Sequence, residues 1–228
     1  MNELRAALTA VPYFQALDDA DIDGIAEHIE LRDLEADSVV LLQGEPCAGL
    51  GLVVKGRVRV VRTSLEGREQ VLRILGPGRT FNDVAAVDGG ANPGTVVATV
   101  PATVGLFPRH RLMALLERRP VVARAMLDLL AHRLRSVVDL VEDTSLHSVV
   151  SRVARLILRC ATDDQQLVEG APEACQRITQ QDIAAMTGSV REVVQRALKF
   201  LEQEGAIKLG RAEVIVTDVA VLQAYAEA

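Results

Sequence analysis

After Pro120 the chain runs to Asp143 without a glycine or another proline. Proline is tolerated at a first helical position, where its missing N–H leaves nothing unsatisfied. The run therefore predicts one helix about 36 Å long, at about 1.5 Å of rise per residue. Within it Leu127, Leu130, Leu134, Val137 and Val141 recur at spacings of 3, 4, 3 and 4, the pattern of a coiled-coil seam. Val122, Met126 and Leu129 form a second stripe. A helix with two apolar stripes has two surfaces to cover. The second is expected to face a β-rich domain, and the first the same helix of a second copy. A helix buried inside its own domain is the alternative reading of the seam.

The sequence differs in texture on the two sides of this helix. Residues 1–30 read as helical, with Asp18 as a cap and Ile22, Ile25, Ala26 and Ile29 at helical spacing. From Leu31 to about Phe107, short β-branched runs alternate with glycine-bearing turns: SVVLLQGEP, GLGLVVKGRVRVVRT, EGREQVLRILGPG and GTVVATVPATVGLF. Short strands at such intervals suggest a sandwich or barrel. Val58 and Val60 alternate with Arg57, Arg59 and Arg62, as on a sheet with one wet face, and Ser64–Gly67 reads as a hairpin turn. Beyond the long helix, Glu142–Ser148 reads as a hinge, VVSRVARLILRCA as an amphipathic helix and ATDDQQLVEGAPEACQR as a polar loop.

Composition narrows the function. With 49% apolar and 25% charged residues, the 228-residue chain reads as soluble and globular. No apolar run approaches the roughly 18 residues of a membrane span. The N-terminus lacks the basic start and apolar block of a secretory signal, so a cytoplasmic location is expected. Cys47, Cys160 and Cys175 are odd in number, far apart and without a CxxC pair. This argues against a disulfide framework or a cysteine-rich metal site and predicts isolated thiols. A protein that coats nucleic acid should be basic, whereas the net charge is −6. Any such binding must be local. Gln176–Arg211 holds six basic and four acidic residues, a balance of +2.

That segment contains the most specific pattern. Thr179-Gln180-Gln181-Asp182 resembles a capping box opening a short helix, DIAAMT. Gly188 permits a tight turn. In the next helix Val190, Val194, Ala197, Leu198 and Leu201 form one buried stripe, while Glu192, Gln195, Arg196 and Lys199 lie opposite, with Arg191 beside them. Gly205 stops the helix, and AIKLGRAEVIVT reads as two strands around Gly210. Together these make a winged helix-turn-helix. A recognition helix offers its N-terminal side chains to the major groove. Arginine can donate twice to guanine, and glutamate can accept from cytosine N4. Arg191, Glu192 and Arg196 can therefore read a half-site containing G and C.

ITQQDIAAMTGSVREVVQRALKFLEQEGAI closely resembles the DNA-binding domain of the CRP/FNR family of bacterial transcription regulators. GLGLVVKGRVRVVR and LGPGRTFNDVAAVDGG match the strands and turns of that family's cyclic-nucleotide-binding β-roll. The resemblance spans almost the whole chain. It implies an α+β fold with a β-roll of jelly-roll type and leading helices over residues 1–117. A long dimerisation helix and hinge would follow over 118–145, and a winged helix-turn-helix over 146–228. It further implies a homodimer on a pseudo-palindromic, TGTGA-like promoter site, with RNA polymerase as a further partner. The implied DNA-binding set is Thr179, Gln180, Gln181, Ser189, Arg191, Glu192, Gln195, Arg196 and Lys199. One departure is Val190, where relatives usually carry serine or threonine. Valine is a poor cap, so Ser189 is expected to cap the helix and move its start by a residue.

The family's cyclic-nucleotide pattern includes Gly-Glu, whose glutamate meets the ribose, and Arg-Ser, whose arginine neutralises the phosphate. Here Asn82-Asp83 and Asn92-Pro93 occupy those places. A buried phosphate needs a charged partner. Asparagine supplies none, and proline removes a backbone donor. Val137 and Val138 fall where cyclic-AMP receptors offer Thr and Ser to adenine. Cyclic AMP is therefore disfavoured, with Arg79 as the one cation that could approach from another direction. The implied effector pocket is Arg79, Asn82, Asp83, Asn92, Val137 and Val138. A haem- or gas-responsive regulator stays open, with His28, His110, His132, His147 and Cys47 as candidate axial ligands, none of them in a motif. So does a cyclic-nucleotide regulator with an atypical pocket. The iron–sulfur branch needs N-terminal cysteines, and residues 1–46 contain none. A cupin-like metal enzyme would need converging ligands, but no HxH pair exists, so no catalytic or metal residues are assigned. Retention of Arg191, Glu192 and Arg196 on the exposed face speaks against a regulatory module that has lost DNA binding.

Overall fold

A computed structural model of the chain describes residues 2–67, 69–162, 179–210 and 214–227. The chain divides into two compact units. The first is Met1–Thr63 with Leu72–Leu134, and the second is Ser64–Val71 with Arg135–Ala228.

The first unit opens with α1 (Asn2–Ala10), a 3-10 turn (Pro12–Phe14) and α2 (Asp19–Ala26). Asp18 caps α2, its carboxylate accepting the Asp21 N–H at 2.9 Å. Eight strands follow: β1 (Glu30–Leu34), β2 (Val39–Leu41), β3 (Leu50–Lys55), β4 (Val58–Thr63), β5 (Glu69–Leu75), β6 (Thr80–Phe81), β7 (Thr95–Ala98) and β8 (Ala102–Phe107). They form two four-stranded sheets, ordered β1-β8-β3-β6 and β2-β7-β4-β5. β8 pairs antiparallel with β1 and β3, and β7 with β2 and β4. The turn from β4 to β5 is the expected one, with the Gly67 N–H donating to Ser64 O at 3.0 Å.

β3 reads as an unbroken apolar run because both its faces are covered. Val53 joins Val40, Val58, Leu75, Phe81, Val96 and Val104 in one core cluster. Leu50, Leu52 and Val54 belong to another, with Leu8, Tyr13, Ile22, Leu112, Val122 and Met126. Gly51 is small because Phe81 covers it: a Cβ there would stand 2.0 Å from the ring. The simple alternation expected in β4 fails. Val58 and Val60 do share the inner cluster, but Val61 on the other face is 1% exposed. Gly94 packs close against Val60 and Val61, so that end of the face is not wet.

Three helices complete this part of the chain: α3 (Asp83–Asp88), α4 (Arg109–Arg118) and α5 (Pro120–Leu146). α5 begins at the expected proline, and its Val122 and Met126 are buried in the helical cluster with Leu129 packed beside them. Leu130, expected in the seam, instead packs half-buried against the same cluster. The expected hinge is shorter than the sequence suggests. α5 continues through Leu146, and α6 (Val149–Thr162) starts after only His147 and Ser148. Capping-type residues disfavour a helix interior only weakly. The break falls where Ser148 Oγ accepts the Ser151 N–H at 3.1 Å.

The second unit continues with α7 (Gln180–Thr187), α8 (Arg191–Gln203), β9 (Ile207–Leu209), β10 (Val214–Val216) and α9 (Val219–Glu227). Its core joins Val153, Ala154 and Ile157 of α6, Ile183 and Ala184 of α7, Val194, Leu198 and Leu201 of α8, and Leu222 of α9. β9 and β10 pair antiparallel as the wing. The polar loop expected over 161–177 lies almost wholly outside the described residues, α6 reaching Thr162. Cys175 lies outside them too. Cys47 is a free thiol, but Cys160 is disulfide-bonded, so the expectation of three isolated thiols fails there. Among the described residues no helix is long and apolar enough to cross a membrane. Nor, among them, does any group of three or more His, Cys, Asp or Glu converge as for a metal ion.

Candidate nucleic-acid interface

Local chemistry fixes the geometry of α7 and α8. Thr179 Oγ1 accepts the Asp182 N–H at 3.1 Å, and Asp182 Oδ2 accepts the Thr179 N–H at 3.0 Å, a reciprocal capping box. Gly188 ends α7 in the left-handed region at φ 62°, where a Cβ would be strained. The next N–H, of Ser189, donates to Ala184 O at 2.9 Å. The chain then re-enters a helix two residues later.

Val190 is the N-cap of α8, with extended φ −114° and ψ 152° and no side-chain capping bond. Ser189 does not replace it as cap, contrary to expectation, and the helix start is not shifted. Val190 also leaves the expected buried stripe. It is 40% exposed, whereas Val194, Ala197, Leu198 and Leu201 are all buried. An N-cap has non-helical dihedrals, so its side chain does not follow the helical face that the i, i+4 spacing assumes.

Opposite that stripe Arg191, Glu192, Gln195, Arg196 and Lys199 are all exposed. Thr179 and Gln181 are exposed as well, while Gln180 and Ser189 are half-buried. Gln181, Ser189, Val190, Arg191 and Glu192 share the lining of one open hollow of about 500 Å³. Ala185 lines it too, as do Glu66 and Gly67 of the β4–β5 turn and Glu69 at the start of β5, all of the same unit. Among the described residues no side chain pairs with Arg191, Arg196 or Lys199. α8 is held from behind instead: the Leu209 N–H of the wing donates to Glu202 Oε1 at 2.8 Å, and Phe200 meets Tyr225 of α9 edge-on at 5.3 Å. Tyr225 O–H donates to Glu204 at 2.7 Å, and that bond raises its pKa above the ordinary value.

The candidate effector residues lie in different surroundings. Asp83 is 3% exposed. It accepts from Thr80 Oγ1 at 2.7 Å and from Tyr13 O–H at 3.2 Å, and it is ion-paired with Arg133 of α5. Arg73 Nη1 stands 3.9 Å away. Burial pushes the Tyr13 pKa well above its usual value, and the neighbouring Asp83 charge adds to the effect. Asn82 sits in the left-handed region at φ 61° and donates from Nδ2 to Gly49 O at 2.9 Å. Asn92 is 3% exposed and is bound elsewhere, its Nδ2 donating to Leu42 O at 3.1 Å. Pro93 O accepts from Arg62 at 3.0 Å. Arg79 is half-buried, with its backbone carbonyl accepting the Val53 N–H at 3.0 Å. Val137 and Val138 are exposed on the stretch of α5 that belongs to the second unit. Sequence reasoning missed Tyr13, Arg73, Thr80 and Arg133. Of the candidate haem ligands, His28 is engaged by Gly24 O at 2.7 Å, and the His147 ring lies 3.1 Å from Arg155.

Comparison with known proteins agrees with this architecture. The cyclic nucleotide-binding domain family matches residues 31–119, and the Crp-like helix-turn-helix domain family matches 151–225. The cyclic AMP receptor protein of Thermus thermophilus is 32% identical over 94% of this chain and 96% of its own length. The chain belongs to the CRP/FNR family of transcription regulators. Within it, the CRP-like cAMP-activated global transcriptional regulator of Mycobacterium tuberculosis is 27% identical over 90% of this chain and 92% of its own. The solved structure of CLP from Xanthomonas campestris, a c-di-GMP-responsive global regulator, superposes with a TM-score of 0.75. It covers 88% of this chain and 100% of that one at 20% identity, a likeness of fold.

Proposed function

We propose that the chain acts in the cytoplasm as a homodimeric regulator that binds a pseudo-palindromic, TGTGA-like duplex site, with RNA polymerase as a further partner. The observation that carries this reading is the exposed set Arg191, Arg196 and Lys199 on α8, without a side-chain partner among the described residues and opposite a stripe that is wholly buried. Arg191 and Glu192 stand at the helix start, where side chains reach base edges, and Arg196 follows one turn later. Selection from random duplexes is expected to recover an inverted repeat, with binding that weakens steeply as salt rises because phosphate contacts release counterions. Arg191→Ala or Arg196→Ala should cost about 1–3 kcal/mol per half-site and relax base choice at one position. Unchanged base preference in both variants would refute the assignment.

The proposed effector is not cyclic AMP. Asn92 and Pro93 bring no cation to the place of the phosphate clamp, and the Asp83 carboxylate is already engaged by Thr80, Tyr13 and Arg133. The names of the relatives favour the opposite reading, a cyclic-nucleotide regulator with an atypical pocket. Titration calorimetry with cyclic AMP separates the two. No heat of tight binding is expected, and a submicromolar constant would overturn the first reading.

A further inference from the structure

Val190 occupies a cap position to which valine is poorly suited. As N-cap of α8 it faces backbone donors that a serine, threonine, asparagine or aspartate could satisfy, and it makes no capping bond. Its side chain is 40% exposed and lies outside the core of its unit. Val193, one turn on, is half-buried and also absent from that core. The two are joined through the backbone, the Val193 N–H donating to Val190 O at 3.0 Å. Val190 therefore puts an apolar side chain at the start of the helix, beside Arg191 and Glu192 and lining the same hollow as they do. Major-groove edges offer hydrogen-bonding atoms for every base pair, and one hydrocarbon group, the 5-methyl of thymine. A branched aliphatic side chain has no partner there except that methyl.

We propose that Val190 reads a thymine methyl in each half-site, as a specificity-determining residue beside the charged readers. This rests on the DNA-binding function proposed above. The test uses the full-length protein and the duplex that it selects. Each thymine of the half-site is replaced in turn by deoxyuridine, which keeps the base pair and removes only the methyl, and binding is followed by fluorescence anisotropy. At one thymine position the loss is expected to be about fourfold per half-site, the scale of one buried methyl group, and the other thymines should tolerate the change.

Val190→Ser supplies the missing cap, so its melting temperature should hold or rise, while its thymine and deoxyuridine duplexes bind equally at that position. Three results overturn the inference: a selected half-site with no fixed thymine, tolerance of deoxyuridine at every position, or an undiminished preference for thymine in Val190→Ser. Failure to select any duplex would instead overturn the DNA-binding reading, and this inference with it.

Discussion

Tyr13 shows how much one buried hydroxyl can decide. It is wholly buried and donates to Asp83, which Thr80 and Arg133 also hold. Its phenol pKa is raised above about 10, chiefly by burial and then by the Asp83 charge. Below the unfolded value the phenol is neutral in both states, and its contribution to stability is fully present. Above about pH 10 the unfolded chain ionises first, so stability falls as pH rises toward the higher folded value. Tyr13→Phe removes that alkaline dependence. It also removes one hydrogen bond to a carboxylate, a loss of roughly 1.5–3 kcal/mol. Urea midpoints measured from pH 8 upward should show the variant less stable at neutral pH but falling less steeply under alkaline conditions. Parallel curves for the two proteins would contradict the assignment.

Elements whose ends are set by neighbouring residues were legible. The α7–turn–α8 segment follows from a capping pair three residues apart and a left-handed glycine. If that box fixes the entry to α7, Thr179→Ala should lower stability by about 1 kcal/mol, read as a lower melting temperature of the full chain. DNA affinity should fall with it, because α7 supports α8 in one core. Thr179→Ser should restore both. What escaped the sequence had no local signal. Arg133 reaches Asp83 across 50 residues of chain and Tyr13 across 70. Only the fold brings these groups together, so the buried ion cluster could not be read from spacing. Val190 was misplaced for the opposite reason. Its spacing was helical but its dihedrals were not. In β3 the sequence pattern suited a strand covered on both faces, but which helices cover it depended on contacts from α1, α4 and α5.

At the scale of the whole molecule the unanswered surface is on α5. Leu127, Leu134, Val137 and Val141 are 63%, 64%, 53% and 58% exposed in the single chain. Leu130 completes their spacing but faces its own core, so the row is a seam with one member turned inward. Four large aliphatic side chains along one helix are costly to leave in water, at about 25 cal/mol for each Å² of apolar surface. In the homodimer proposed above, a second copy of the same helix would cover them by knobs-into-holes packing. The same pairing would give the protein two copies of α8, and a palindromic site requires two readers about one helical turn of DNA apart. Dimerisation and sequence-specific binding should therefore fail together. Leu134→Lys places a charge in the middle of the seam without touching a buried residue. Sedimentation should show it shifted to monomer, with the circular dichroism of the parent. Its affinity for a full inverted repeat should fall to nearly that for a single half-site. A variant that stays dimeric, or a monomer that still prefers the full repeat, would place the self-association elsewhere on the chain.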